Sequence, residues 1–261
     1  LSNGADVLLT VLGCSGSIPG PGAAASGYLL EADGFTLALE FGNGVLSRFQ
    51  EERPLFSMDA LVLSHLHPDH CIDVSSLYVA RKYHPSPPAA VLPVYAPAEA
   101  PSRFVAAYAP NELERSSLDF SDVFAFHPLG HTVHIGPFTV ESALVAHPCE
   151  AYGFRISCGD VSLAYTGDSG PCAALDALAS GVDVLLSEAS WTHAPDRVEG
   201  LHMSGLEAGE LATRAGAGRL LITHVPPWTS REDVLREAKS AFGGPCELVV
   251  EGGRYEVGEQ A

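Results

Sequence analysis

The chain alternates short apolar runs with polar, glycine-rich breaks, and the spacing of those runs predicts most of its elements. Asp6–Leu12 reads as a buried strand, and Gly13–Gly27 as a Gly/Ser/Pro loop. Tyr28–Glu31 and Phe35–Phe41 form a predicted hairpin, turned at Ala32-Asp33-Gly34. Asn43–Gln50 is a predicted helix and Ala60–Leu63 a strand. Ile72–Tyr83 is a helix stopped by Pro85, Pro87 and Pro88. Val91–Tyr95 is a strand and Ala98–Tyr108 a helix.

The second half repeats the rhythm. Val123–His127, Phe138–Val145, Tyr152–Ser157 and Ser162–Thr166 read as strands, Cys172–Ala179 as a helix and Val182–Leu186 as a buried strand. Ser204–Ala215 opens with a capping-box pattern, Ser204 as N-cap and Glu207 three residues on. Leu220–Thr223 is a strand, Arg231–Ala241 a helix and Leu248–Val250 a final strand. No linker divides two cores, so one α/β domain over residues 5–258 is expected, the four residues Leu1-Ser2-Asn3-Gly4 being set aside.

One break carries unusual chemistry. Ser64-His65-Leu66-His67-Pro68-Asp69-His70 follows the apolar run Leu61-Val62-Leu63. In an extended turn, His65 and His67 can point one way while Asp69 and His70 face a second point nearby. That crowds one metal and suits two. Imidazole with carboxylate fits zinc, manganese or iron. Two metals roughly 3.5–4 Å apart form a clamp that hydrolyses esters and phosphodiesters.

Composition narrows the partners. The chain of 261 residues is 46% hydrophobic, enough for a substantial core, and no stretch reaches transmembrane length. Its formal charge is −18, and Lys82 and Lys239 are its only lysines. A protein gripping a long polynucleotide needs a basic footprint, which the overall balance does not supply. Cys14, Cys71, Cys149, Cys158, Cys172 and Cys246 are scattered with no Cys-x-x-Cys pair, and no basic start precedes a long apolar segment. Reduced thiols and a cytoplasmic location are the expectation. Cys71 and Cys149, beside candidate ligands, are read as small buried residues.

Further metal-seeking residues stand just after strands, where loops carry chemistry. His147 follows Ala143-Leu144-Val145-Ala146, Asp168 follows Leu163-Ala164-Tyr165-Thr166, and His224 follows Leu220-Leu221-Ile222-Thr223. Taken together, these residues resemble the metallo-β-lactamase superfamily over nearly the whole chain. The resemblance implies an αβ/βα four-layer sandwich, two packed mixed sheets with helices outside. It also implies that His65, His67 and His147 hold one divalent metal, that Asp69, His70 and His224 hold the other, and that Asp168 bridges them. Zinc is the first expectation, with manganese or iron as alternatives.

The branch can be narrowed too. Gly13-Cys14-Ser15-Gly16-Ser17 with Ser26, Glu40-Phe41-Gly42-Asn43-Gly44, Glu188-Ala189-Ser190 and Leu201-His202-Met203-Ser204 resemble elements of the ribonuclease Z branch. Glu40 departs from that branch's Asp. By this resemblance His202 is a proton donor, Glu188 its orienting partner and Asp69 a catalytic ligand that orients water. Ser17, Ser26, Asn43, His193 and Trp228 are the expected substrate contacts, with Trp191 beside them. Ala25-Ser26-Gly27-Tyr28-Leu29-Leu30, Glu188 through His193 and Trp228 through Val234 are similar to actinobacterial cyclic-nucleotide phosphodiesterase-like proteins.

The expected function is hydrolysis of a small phosphodiester, a cAMP-type cyclic nucleotide first. Alternatives are tRNA 3′ processing, aryl-sulfate or thioester hydrolysis, and a non-catalytic metal-containing binding protein. No insertion long enough for a tRNA-binding arm is seen, and neither stable nucleic-acid binding nor membrane association is expected. The oligomeric state stays open, a homodimer included. His84, His127, His131 and His134 are read as surface or structural residues.

Overall fold

Side chains alternate sides along a strand, so a strand that is apolar at every position needs cover on both faces. The computed structural model, which describes residues 6–86 and 90–258, supplies that cover. Residues 1–5, including the four set aside above, lie outside the described residues, as do Pro87 and Pro88 of the proline run.

In chain order the first half holds β1 (Val7–Gly13), β2 (Gly27–Ala32), β3 (Phe35–Leu39), α1 (Val45–Glu52), β4 (Ala60–Val62), α2 (Pro68–Cys71), α3 (Asp73–Tyr83), β5 (Leu92–Ala96), α4 (Ala100–Tyr108), α5 (Glu112–Ser117) and β6 (Phe124–Pro128). The second half holds β7 (Val133–Ile135), β8 (Phe138–Leu144), β9 (Tyr152–Cys158), β10 (Val161–Tyr165), α6 (Ala173–Leu178), β11 (Val184–Glu188), α7 (Gly205–Ala215), β12 (Arg219–Thr223), α8 (Arg231–Ala241), β13 (Cys246–Leu248) and β14 (Arg254–Val257).

Two seven-stranded sheets result, in the orders β14-β1-β2-β3-β4-β5-β6 and β13-β12-β11-β10-β9-β8-β7. In each, a run of antiparallel strands gives way to parallel ones, at β3 in the first sheet and at β10 in the second. The alternation sorts each strand between two cores. Tyr28 and Leu30 of β2 join the layer between the sheets, whereas Leu29 faces the helical side with Phe49 and Leu77. On the other sheet Leu163 and Tyr165 face inward, and Ala164 packs outward with Leu175 and Leu211. Helix, sheet, sheet and helix therefore stack as the expected αβ/βα sandwich.

The differences from the sequence reading are local. The helix expected from Ile72 is preceded by the separate turn α2, with Pro68 at its first position, so Asp69 and His70 project from helical backbone and not from an extended turn. A proline is welcome there because its missing N–H would have no partner. The strand expected at Leu248–Val250 is β13, ending at Leu248, and it is not the last. The closing strand is β14, antiparallel to β1, with Tyr255 and Val257 inward and Arg254 and Glu256 outward. Four residues with two charges carry too little apolar signal to be read as a strand. Short α5 and β7 were missed for the same reason. The capping box at Ser204 and Glu207 forms as expected.

One polar contact pins the two sheets together. The Tyr28 hydroxyl on β2 lies 2.6 Å from the Thr223 hydroxyl on β12, fully buried, with Tyr28 against the Tyr165 ring. Tyr28→Phe keeps the ring and strands the Thr223 hydroxyl. It is expected to destabilise the fold by about 1–3 kcal/mol, read as a lower midpoint in denaturant unfolding. An unchanged midpoint would show that the contact is not needed to seat the sheets.

Candidate metal centre

The carboxyl ends of the parallel strands converge, and the site residues lie just beyond them. Glu40 follows β3, and the loop 63–67 with α2 follows β4. Asp168 follows β10, Glu188 ends β11 and His224 follows β12. His147 arrives from the loop after β8, tied to the Asp168 loop by Gly170 N–H donating to Ala146 O at 2.8 Å. Glu40 and His224 both adopt left-handed backbone, φ 63° and 56°. Such conformations persist in non-glycine residues only where the surroundings over-determine them.

Here that surrounding is close backbone packing. A Cβ at Gly42 would stand 1.9 Å from Asp69 O, and one at Gly16 would stand 2.4 Å from His224 O. Only glycine lets these two loops press against the ligand-bearing segments.

The seven candidate ligands form two clusters that share Asp168. In the first, His65 Nε2 lies 3.0 Å from His67 Nδ1, His147 Nε2 lies 3.2 Å from His67 Nδ1, and Asp168 Oδ2 is 3.8 Å from His65 Nε2. In the second, His70 Nε2 and His224 Nε2 are 3.2 Å apart. Asp69 Oδ2 lies 3.5 Å from His70 Nε2 and 3.2 Å from His224 Nε2. Asp168 Oδ1 is 3.1 Å from His70 Nε2 and 3.4 Å from His224 Nε2. Ligands about 2.0–2.1 Å from a tetrahedral metal stand roughly 3.3 Å from one another. Both clusters have that spacing, and Asp168 turns one oxygen to each.

The electrostatics ask for a cation. Glu40, Asp69, Asp168 and Glu188 are all buried, and among the described residues no Lys or Arg bonds to any of them. Buried carboxylates need a paired charge or a metal. Asp168 Oδ1 is buried without a hydrogen-bond partner among the described residues, although it faces two imidazoles. Burial opposes ionisation of Asp168, but His224 and His70 outweigh it and hold the carboxyl well below its usual range. Asp69 is held down in the same way by His224 and His70. Burial pushes the His65 imidazole well below its usual value, so it stands neutral with a free lone pair. The donor set fits divalent cations.

Four of the five ligand imidazoles have a polar group against the nitrogen that turns away from the cluster. His65 Nδ1 meets the Ser64 hydroxyl at 3.0 Å, and His147 Nδ1 meets Leu201 O at 3.0 Å. His224 Nδ1 meets the Ser190 hydroxyl at 2.9 Å. His70 Nδ1 faces Glu40 Oε1 at 3.5 Å, while the same carboxylate accepts the Ser64 N–H. Glu40 therefore makes the local hydrogen bonds at the position where Asp was the expected type. Ser64 and Leu201 were not singled out in the sequence. A serine beside a ligand is a faint signal, and a main-chain carbonyl is none.

His202 stands at the edge of both clusters. Its Nδ1 lies 2.9 Å from Glu188 Oε1 and 3.9 Å from Asp168 Oδ2, and Trp191 packs edge-on against its ring at 5.3 Å. Burial lowers the basicity of this imidazole, but the Glu188 charge and hydrogen bond outweigh it, and its pKa is pushed up to about 9.

The expected substrate residues divide. Ser17 is exposed and its N–H lies 3.4 Å from His224 Nε2. His193 is exposed, its Nδ1 3.0 Å from the Ser204 hydroxyl, and it lines a cavity of 420 Å³ that His202 and Arg197 also border. Trp228 is exposed beyond His224, and Asn43 is half-buried at the start of α1, its carbonyl holding the Ala25 N–H. Ser26 corrects the expectation. It is fully buried behind the site, its N–H donating to Asp69 O at 3.1 Å and its carbonyl accepting from Gly42, so its hydroxyl has no path to a substrate. Cys149 is a second correction. Cys71 is buried as expected, but Cys149 is exposed at the mouth, its sulfur 4.0 Å from His67 Nε2.

The family model described as "Beta-lactamase superfamily domain" matches residues 42–225, which span both clusters. The chain belongs to the metallo-β-lactamase superfamily. As such it is a metallo-hydrolase. It is 49% identical over 255 residues to an uncharacterised protein of Mycobacterium tuberculosis, covering 96% of this chain and 92% of that one. It is 30% identical over 262 residues to a ribonuclease Z of a Mycobacterium species, covering 92% of each. The crystal structure of the metallo-β-lactamase fold protein YhfI of Bacillus subtilis superposes with a TM-score of 0.83 at 29% identity, over 96% of this chain and 99% of that one. Among the described residues, no helix is long and apolar enough to cross a membrane.

Sharing Asp168 between the clusters has a measurable consequence. Metal analysis of the purified protein is expected to find about two equivalents of transition metal, the number one such clamp holds. His67→Ala should lose one equivalent preferentially, whereas Asp168→Ala should lose both. Retention of both by Asp168→Ala would remove its bridging role.

Proposed function

We propose that this metallo-hydrolase cleaves small phosphodiesters, a cAMP-type cyclic nucleotide being the first candidate. The observation that carries the reading is His202. Glu188 takes its Nδ1 at 2.9 Å, with Asp168 Oδ2 3.9 Å from the same nitrogen, which leaves Nε2 as the nitrogen free to act. A ribose alkoxide is a poor leaving group unless protonated, and a positioned imidazole supplies that proton. His65, His67, His147 and Asp168 would hold one divalent cation, and Asp69, His70, His224 and Asp168 a second. Zinc is the first candidate for both, with manganese or iron(II) as alternatives. Such a pair, when bound, lowers the pKa of water and neutralises phosphoryl charge. Asp69 would also orient the attacking water, and Glu188 would keep His202 in its useful tautomer. Ser17, His193 and Trp228 are the exposed residues placed to meet the substrate.

A ribonuclease Z-like reading is the second, favoured by the 30% identity to a protein of that name. The charge of −18 weighs against a long polyanion. So does the longest stretch between regular elements, 189–204, which stays at the site with His193 and His202 on it.

With zinc or manganese present, cyclic nucleotides and generic phosphodiesters are expected to turn over, and precursor tRNA to be cut slowly or not at all. Site-specific trimming of tRNA 3′ ends would overturn the first reading in favour of the second. A metal-loaded protein inert to every diester would point to a binding role.

His202→Ala should keep its metals and lose on the order of 10²–10⁴-fold in kcat with a cyclic nucleotide. With a nitrophenyl diester, whose leaving group departs without a proton, the loss should be much smaller. Equal losses on both substrates would mean that His202 positions the phosphate.

A further inference from the structure

We infer that Ser190 is a positioning residue, which fixes the tautomer of the ligand His224 by tying it to the buried carboxylate that also holds His202. The Ser190 hydroxyl is 2.9 Å from Glu188 Oε2 and 2.9 Å from His224 Nδ1, and Ser190 is 3% exposed. The direction of the protons follows from chemistry. An ionised carboxylate only accepts, so the single Ser190 proton goes to Glu188 at 2.9 Å in preference to the neutral His224 carbonyl oxygen at 3.3 Å. The serine oxygen is then left with lone pairs and accepts from His224 Nδ1–H. A neutral imidazole carries one N–H, so Nε2 keeps its lone pair for a cation that Asp69 and Asp168 would share with it from 3.2 and 3.4 Å away.

Glu188 thus divides its oxygens. Oε1 takes His202 Nδ1 at 2.9 Å and the Ser169 N–H at 2.7 Å, whereas Oε2 reaches His224 through Ser190 alone. Ser64 and Leu201 O meet the outward nitrogens of His65 and His147 directly, and Glu40 faces that of His70 at 3.5 Å. Without the hydroxyl, His224 Nδ1 and Glu188 Oε2 would both lose a buried partner. The Nε2–H tautomer, which cannot bind a cation through Nε2, would then gain population. Partners of this kind set ring orientation and ligand basicity at metal sites.

The inference rests on the reading that His224 offers Nε2 to the second cation, and its test needs no substrate. Nitrogen NMR of the imidazoles in the zinc-loaded protein should show His224 protonated at Nδ1. In the zinc-loaded protein Ser190→Ala should shift the His224 Nδ1 resonance and speed exchange of its proton, because that N–H loses its acceptor. It should also release one equivalent of zinc to a chelator about 10–100-fold more readily than the parent, while the other equivalent stays. Ser190→Thr keeps the hydroxyl and should restore both readouts. A zinc-loaded parent without a proton on His224 Nδ1 would overturn the inference without any variant, as would Ser190→Ala with an unaltered His224 Nδ1 resonance and unaltered zinc retention. Equal weakening of both equivalents would also overturn it, since only the second cluster contains His224. Failure to hydrolyse any diester would sink the proposed function and leave these results standing.

Discussion

Four carboxylates buried in one place, with imidazoles as the only side chains against them able to carry positive charge among the described residues, are the constraint around which the site is built. Glu40, Asp69, Asp168 and Glu188 come from four different segments, and none bonds to a lysine or an arginine among the described residues. Such a cluster repels itself unless positive charge is held among its members. The imidazoles cannot all carry that charge, because burial drives His65 toward its neutral form. A pair of cations would resolve both demands, neutralising the acids and taking the lone pair of a neutral ring such as His65.

The scaffold makes this arrangement hold. The ends of β4, β10, β11 and β12 are fixed by ladders within two sheets that are packed on both faces, so the loops start from rigid points. Gly16 and Gly42 let neighbouring backbone close over His224 and Asp69, and Glu40 and His224 are kept in left-handed conformations by that packing. The Tyr28–Thr223 contact joins the two sheets one residue before His224. Packing energy spread over the whole sandwich thus stabilises a few strained, charged residues at one end of it.

Charge is organised at two scales. The chain as a whole is strongly acidic, which disfavours long polyanions, while a cation pair would make the site locally positive. A small diester can respond to the second field without having to cross much of the first. The exposed rim of Ser17, His193, Trp228 and Cys149 is where such a substrate would first meet the protein. The pairing of His202 with Glu188 marks one side of the site, where Trp191 backs the His202 ring.

Much of this was written in local sequence. The apolar runs gave the strands of both halves, because a strand buried on two faces must be apolar nearly throughout. The motif from His65 to His70 was legible because its donors share one loop and one helical turn, so their convergence needs no distant partner. His147, Asp168 and His224 were legible one at a time as metal-seeking residues at strand ends. Which way a side chain faces was not. Ser26 and Cys149 are small residues beside site motifs, yet one is sealed behind Asp69 and the other opens to solvent. Strand β14 gained its place only by pairing with β1 from the far end of the chain. The hold on His147 by Leu201 O, and on His224 by Ser190, joins groups that the chain separates and the sandwich brings together. Residue type and local spacing determined what the donors are, because those are properties of a few adjacent residues. Only the tertiary structure decided which nitrogen of His70, His147 and His224 faces inward, because that depends on a partner delivered by a distant segment, whereas His65 is met by its neighbour Ser64.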